Sequence, residues 1–168
     1  AGNIGREIAL RSRGFGMSVA GYDPYVARQE GFDEIVGDPA ALKRLLGESD
    51  FVITSLPVTE ETRDMVNRNL LESMKRDAYL INVSRGEIVD ETALVWALNK
   101  GVIRGAAIDV ARQEPLPADS PLWTARNLLI TPHRAAYGDQ MKRRMCALIE
   151  RNLRHYLAGE TLEDIVCF

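Results

Sequence analysis

Cysteine is scarce: Cys146 and Cys167 are the whole complement, too few for a disulfide framework and without metal-ligand spacing. No metal site is expected. Positive charge is not in excess either. The 21 Lys and Arg against 24 Asp and Glu leave a net charge of −3, which removes the basic stripe of a nucleic-acid binder. No apolar run approaches the ~18 residues of a membrane span, and no stretch reads as a charged-then-apolar secretory leader. Internal repeats and low-complexity tracts are absent. What remains is 168 residues of ordinary composition, 46% hydrophobic and 27% charged. A chain this apolar can bury enough surface to offset its ordering entropy. The expectation is one soluble, cytoplasmic globular domain with no nucleic-acid or membrane partner.

Short apolar runs alternate with longer helical patterns. Residues 17–22, 51–56, 79–83, 105–110 and 128–131 are β-branched or aliphatic on consecutive positions, as expected of strands covered on both faces of a parallel sheet. Residues 33–37 add a short candidate strand. Asp38-Pro39 reads as an N-cap with a first-turn proline, opening a helix through Leu42, Leu45 and Leu46 to Gly47. Asp90 reads as a second N-cap, with Val89 and Leu94 as a hydrophobic staple and Gly101 as the stop. The longest helix is expected over about 138–158, with Met141, Met145, Leu148, Leu153 and Tyr156 on one apolar stripe. Strands alternating with helices make a doubly wound α/β sheet of the Rossmann kind.

The chain opens Ala1-Gly2-Asn3-Ile4-Gly5, followed by an amphipathic stretch with Ile8, Ala9 and Phe15. Gly2 and Gly5 match the second and third glycines of the dinucleotide fingerprint G-x-G-x-x-G. The second lets backbone approach a pyrophosphate at the helix N-terminus, and the third lets helix and strand pack closely. Asp23 stands at the carboxyl end of the 17–22 run. An acidic side chain there accepts hydrogen bonds from ribose hydroxyls and repels a 2′-phosphate, which favours NAD over NADP. The plain alternative makes Asp23-Pro24 a turn.

Ligands of open α/β sheets bind outside the carboxyl ends of the strands. At those ends stand Pro57 with Thr59 and Thr62, then Ser84-Arg85-Gly86, then Asp109 with Glu114-Pro115 soon after, and Pro132-His133. Together these suggest a division of labour. Arg85 suits a two-pronged bond to a substrate carboxylate. His133 suits proton transfer at a hydroxyl or carbonyl, and Glu114 beside it would favour the imidazolium and fix its tautomer. Taken singly, Arg85 reads as a solvated loop residue, Glu114-Pro115 as an ordinary loop pair and either histidine as structural. His155, within a helix, is read that way.

These stretches resemble the nucleotide-binding domain of the D-isomer-specific 2-hydroxyacid dehydrogenases. The resemblance rests on Ile81-Asn82-Val83-Ser84-Arg85-Gly86, on residues 105–110 with Glu114-Pro115, on 127–133 ending Thr-Pro-His, and on Leu56-Pro57 with Thr59 and Thr62. It implies an NAD-dependent oxidoreductase that interconverts a D-2-hydroxy acid and its 2-keto acid, with Arg85, Glu114 and His133 catalytic. It also implies cofactor contacts at Gly2, Asn3, Ile4, Gly5, Asp23, Leu56, Pro57, Thr62, Val83, Ser84, Arg85, Asp109, His133, Ala135 and Ala136, with Asp109 near the carboxamide, and a homodimer formed through this domain. Two departures bear on the substrate. The run after His133 is Arg134-Ala135-Ala136 where a small residue and glycine are usual, and Ala111 follows Val110 where an aromatic is usual.

Two alternatives stay open at this point. One is a non-catalytic NAD sensor or corepressor of the same fold. The other is an NAD-using hydrolase of the adenosylhomocysteine type, which would leave Arg85, Glu114 and His133 unexplained. The fingerprint normally follows a strand, which in a 3-2-1-4-5-6 sheet is central. The expectation is therefore a piece of a longer polypeptide: residues 1–158 as the dinucleotide-binding domain and 159–168 as a segment returning to an absent substrate domain. That last segment carries Leu162, Ile165, Val166 and Phe168. Alone, the piece should be inactive, with the first-strand slot empty or filled from elsewhere.

Overall fold

The computed structural model describes residues 1–165, so Val166 and Phe168 of the C-terminal segment lie outside the described residues. The chain divides into two compact units, residues 1–133 and 134–168.

In the first unit, α1 (Asn3–Gly14) starts at Gly2, whose backbone is extended, and ends on Arg11 and Arg13, cations that complement the helix C-terminus. Next comes β1 (Ala20–Tyr22), shorter than the expected 17–22. Met17 instead closes the end of α1 through the Ser12 carbonyl, and Val19 N–H bonds the Asp33 carboxylate. The candidate at 33–37 forms β2 (Glu34–Val36), parallel to β1. Asp38 caps α2 (Pro39–Glu48), accepting from the N–H groups of Ala40 and Ala41 at 3.0 and 2.9 Å. This helix runs through Gly47 rather than stopping there. Ser49 closes its last turn, with both its N–H and its hydroxyl donating to the Leu45 carbonyl.

The remaining strands are β3 (Phe51–Thr54), β4 (Tyr79–Asn82), β5 (Gly105–Ile108) and β6 (Leu128–Ile130), all parallel and adjacent in that order. Between β3 and β4 lies α3 (Arg68–Glu72), capped by Asn67. It is too short to show helical periodicity in the sequence. Between β4 and β5 lie a 3₁₀ turn (Gly86–Ile88) and α4 (Glu91–Lys100). Asp90 caps α4 through Ala93 N–H, and Gly101 ends it at φ 66°, a left-handed conformation that glycine adopts without steric cost. The staple pair Val89 and Leu94 is buried, within a core that includes Leu71, Leu80, Ile88, Ile103 and Leu122.

The sheet is in two pieces. β1 pairs only with β2, and β3 only with β4. A Cβ at Gly5 of α1 would meet Ser55 Oγ at 3.4 Å and the Phe32 ring at 3.9 Å. The start of α1 thus lies against the residue after β3 and the loop before β2 at once. Parallel strands with intervening helices make the α/β, doubly wound architecture expected of the sequence. β3 differs from the expected two-sided burial: Phe51 and Ile53 are exposed.

In the second unit, α5 (Met141–Ala158) begins later than residue 138, because turns closed by Tyr137 N–H on the Arg134 carbonyl and Met141 N–H on that of Gly138 occupy the lead. The apolar stripe has the expected spacing but is not buried. Met145, Leu153 and Tyr156 are all exposed, and no residue of α5 is buried. The first residues of the 159–168 segment fold back on this helix: Glu163 pairs with Arg151, and Asn152 bonds the Glu163 backbone. His155 Nδ1 lies 3.0 Å from the Thr161 carbonyl, a local structural contact.

Candidate active site

Four strand ends meet along one edge of the four-stranded piece, because parallel neighbours put every carboxyl end on the same side. The centre of that edge is Asn82, 1% exposed. Its Oδ1 accepts hydrogen bonds from Thr54 Oγ1 (2.9 Å), Ser84 N–H (3.0 Å) and Ser84 Oγ (2.7 Å). Its Nδ2 donates to the Arg85 carbonyl at 2.9 Å. A buried amide with this many partners fixes the turn that carries Arg85. In the sequence, the signal that marks Asn82 is a polar residue interrupting an apolar run. Val83 N–H bonds the Thr54 carbonyl. The Arg85 side chain is exposed, with Nη1 on the Ser84 carbonyl at 2.8 Å. Its guanidinium has no carboxylate partner among the described residues.

Gly86 follows because nothing larger fits. A Cβ there would lie 2.1–2.3 Å from the Ala111 carbonyl group and Arg112 N, so the turn after β4 and the loop after β5 touch backbone to backbone. Asp109, buried, joins the ends of β4, β5 and β6. Its N–H bonds the Asn82 carbonyl (3.0 Å), its carbonyl accepts from His133 N–H (2.8 Å), and its Oδ1 accepts from Thr131 Oγ1 (2.5 Å). His133 sits at φ 52°, a left-handed conformation that histidine visits more readily than most residues.

His133 Nδ1 lies 2.7 Å from Glu114 Oε2, and the other Glu114 oxygen accepts Ala111 N–H at 3.0 Å. The sequence-predicted Glu114 and His133 are therefore in direct contact, 39% and 51% exposed. With Nδ1 engaged, Nε2 is the ring nitrogen left for a substrate oxygen. The hydrogen bonds from His133 and Ala111 hold the Glu114 carboxyl below its usual value, against a smaller opposing effect of burial.

At the front of the fold, no described residue would meet a Cβ at Gly2, so packing among them does not require glycine there. Asn3 and Ile4 are exposed, and the first turn of α1 carries no acidic residue. An open helix N-terminus of this kind fits the phosphates of a dinucleotide. One oxygen of Asp23 accepts Tyr25 and Val26 N–H, closing the turn at Pro24, and these bonds favour the charged carboxylate. Thr62 is used internally: its hydroxyl donates to the Pro57 carbonyl and accepts Thr59 N–H, folding the turn after half-buried Leu56. Ala135 and Ala136 fall in the second unit.

A family model for the D-isomer specific 2-hydroxyacid dehydrogenase NAD binding domain matches residues 1–135. The chain belongs to this family. It is 42% identical to a glyoxylate reductase of Korarchaeum cryptofilum, over 98% of this chain and 49% of that protein. Among solved structures, a D-isomer specific 2-hydroxyacid dehydrogenase family protein of Aeromonas salmonicida superposes with a TM-score of 0.89. It shares 37% identity, and the match covers 99% of this chain and 53% of that one. An NADPH-dependent glyoxylate/hydroxypyruvate reductase of Sinorhizobium meliloti, solved with NADP and sulfate, gives a TM-score of 0.87 at 32% identity, covering 98% and 52%. The chain thus spans about half the length of these relatives. As a 2-hydroxyacid dehydrogenase NAD-binding domain it uses a nicotinamide cofactor.

Neither a cluster of three or more His, Cys, Asp or Glu suited to a metal nor a helix long and apolar enough to cross a membrane occurs among the described residues. The Glu114–His133 pair makes a pH prediction. A carboxyl held low in the folded state stabilises the fold above its unfolded value, about pH 4–5, and loses that contribution as pH falls through the lower native value. Denaturant melts of wild type and Glu114→Gln should therefore differ at pH 6 and converge as pH falls below the lowered native value. The difference should be small, because the pair is solvated.

Proposed function

We propose that the protein carrying this domain is an NAD-dependent D-2-hydroxyacid dehydrogenase, interconverting a D-2-hydroxy acid and its 2-keto acid by hydride transfer. The observation that carries this reading is the 2.7 Å His133–Glu114 contact on the same sheet edge as Arg85. In the reductive direction Arg85 holds the substrate carboxylate in a two-pronged hydrogen bond. His133 Nε2 donates a proton to the carbonyl oxygen as it gains negative charge, and recovers it from the hydroxyl in the reverse direction. Glu114 fixes the ring orientation through its contact with Nδ1. A bound nicotinamide supplies or accepts the hydride. Residues 2–5 and Asp23 would hold its phosphates and ribose. Leu56, Pro57, Thr62, Val83, Ser84, Ala135 and Ala136 would flank it, and Asp109 would meet the carboxamide. The same reading includes a cytoplasmic homodimer and residues 1–158 as the cofactor domain.

The test is NADH oxidation by the full-length protein with a panel of 2-keto acids that includes glyoxylate and hydroxypyruvate. Turnover with at least one is expected. Tight NADH binding without turnover on any of them would replace this reading with a cofactor-sensing role.

Asp23 selects the cofactor in this reading. Asp23→Ser with Pro24→Arg removes the repulsion of a 2′-phosphate and offers it a cation. The ratio of kcat/KM for NADH over NADPH should swing toward NADPH by about 1.5–3 kcal/mol, the scale of a hydrogen bond to a charged group. A wild-type protein that already prefers NADPH would show that Asp23 does not exclude the phosphate.

A further inference from the structure

Glu114 stands on the loop between β5 and β6, is more than a third exposed, and has no buried side chain of its own to anchor it. Its orientation depends on the Ala111 N–H it accepts, and so on how firmly residues 111–114 are held. Arg112 occupies the middle of that turn and is tied to three residues outside it. Its backbone N–H donates to Glu91 Oε1 at 2.7 Å, in the first turn of α4. Its guanidinium pairs with Asp64 and reaches the Val89 carbonyl at 3.4 Å. Asp64 is itself held, its N–H bonding the Glu87 carbonyl at 2.8 Å. On the opposite side, the backbone contact with Gly86 leaves the 111–112 peptide no room to move inward.

We propose that Arg112 is a positioning residue: its side chain clasps the 111–114 turn to Asp64 and Val89, beside the backbone tie to Glu91, and so presents Glu114 to His133. This deepens the dehydrogenase reading above and rests on it for its catalytic consequence. The clasp's contribution is geometric rather than energetic. Arg112 and Asp64 are 42% and 44% exposed, and exposed ion pairs add little to global stability. Losing the clasp leaves the fold intact and lets the turn carry the carboxylate away from the imidazole. The groups facing the Glu114 carboxylate are the His133 ring, the Ala111 amide and, more distantly, Asp109.

The test uses Arg112→Gln and Asp64→Asn in the full-length protein. Asparagine is chosen because Asp64 sits at φ 51°, a conformation asparagine tolerates. Both variants should keep the thermal midpoint and the KM for NADH while kcat falls about 3–30-fold, the usual range for residues that act through another. By NMR, the Ala111 amide proton should move upfield, and the Glu114 carboxyl should titrate nearer its ordinary value. Arg112→Lys, which keeps the charge but loses the fork, should recover part of kcat. In a Glu114→Gln background, Arg112→Gln should cost nothing further, because its effect runs through Glu114. An Ala111 amide and a Glu114 titration unmoved by either variant would overturn the proposal, as would an equal loss of kcat in the Glu114→Gln background. If wild type turns over no 2-keto acid, the dehydrogenase reading fails, and the NMR measurements still decide whether Arg112 positions Glu114.

Discussion

His133→Gln is expected to lower turnover about 10²–10⁴-fold, the usual size of a general acid–base contribution, while NADH binds as before. Glutamine keeps polarity and approximate length but cannot carry a proton between solvent and substrate. The backbone complicates this substitution. His133 sits at φ 52° with its N–H shared between the carbonyls of Asp109 and Thr131. Glutamine tolerates that conformation less well, so some stability is lost separately from chemistry. His133→Asn separates the two effects, since asparagine accepts the left-handed backbone and also lacks a titrating ring. Both variants should lose kcat to a similar degree, with only the glutamine variant losing thermal stability beyond wild type. A parallel loss of NADH affinity and turnover in both would assign His133 a structural role.

What the sequence made legible follows from which interactions are local. The caps at Asp38 and Asp90 and the stop at Gly101 are contacts within a few residues, and each was readable from residue type and spacing. Gly47 misled because glycine in a helical pattern suggests a stop. The decision lay instead with Ser49, whose side chain and backbone both bond Leu45. The short α3 offered too few turns for a period to emerge, and β1 lost its first residues to a contact with Asp33, which no pattern within 17–22 announces.

The site divides the same way. Arg85, Glu114 and His133 were nameable because strand ends of a parallel sheet converge and because their residue types suit the chemistry. The Glu114–His133 contact spans residues far apart in sequence yet was anticipated from that topology. The parts that support them were not. Asn82 stands out in the sequence only as a polar break in an apolar run, and its role appears in four hydrogen bonds to Thr54, Ser84 and Arg85. The role of Gly86 appears only through the backbone it touches after β5, and that of Arg112 through Asp64 and Glu91. Such roles are properties of approach, and residue type alone leaves them silent.

Arg85→Lys should lower kcat/KM for the 2-keto acid about 10–150-fold, by raising KM and reducing kcat together, with the affinity for NADH unchanged. The figure corresponds to losing one charge-assisted hydrogen bond of about 1.5–3 kcal/mol, since lysine offers a point charge where arginine offers a planar fork. The backbone cannot compensate. The Arg85 carbonyl is tied to Asn82 Nδ2, and its neighbour Gly86 is wedged against Ala111 and Arg112, so the Cα cannot shift to bring an ammonium into the guanidinium's place. Reduced orientation of the substrate then reaches the chemistry as well as the binding, which is why kcat falls with KM rather than staying constant. The decisive comparison is a 2-keto amide, which lacks the carboxylate. Wild type should handle it poorly, and Arg85→Lys should handle it no worse than wild type, because the interaction removed by the substitution was never made. If the lysine variant loses equally on acid and amide, Arg85 acts on the fold of the β4 turn and not on the carboxylate.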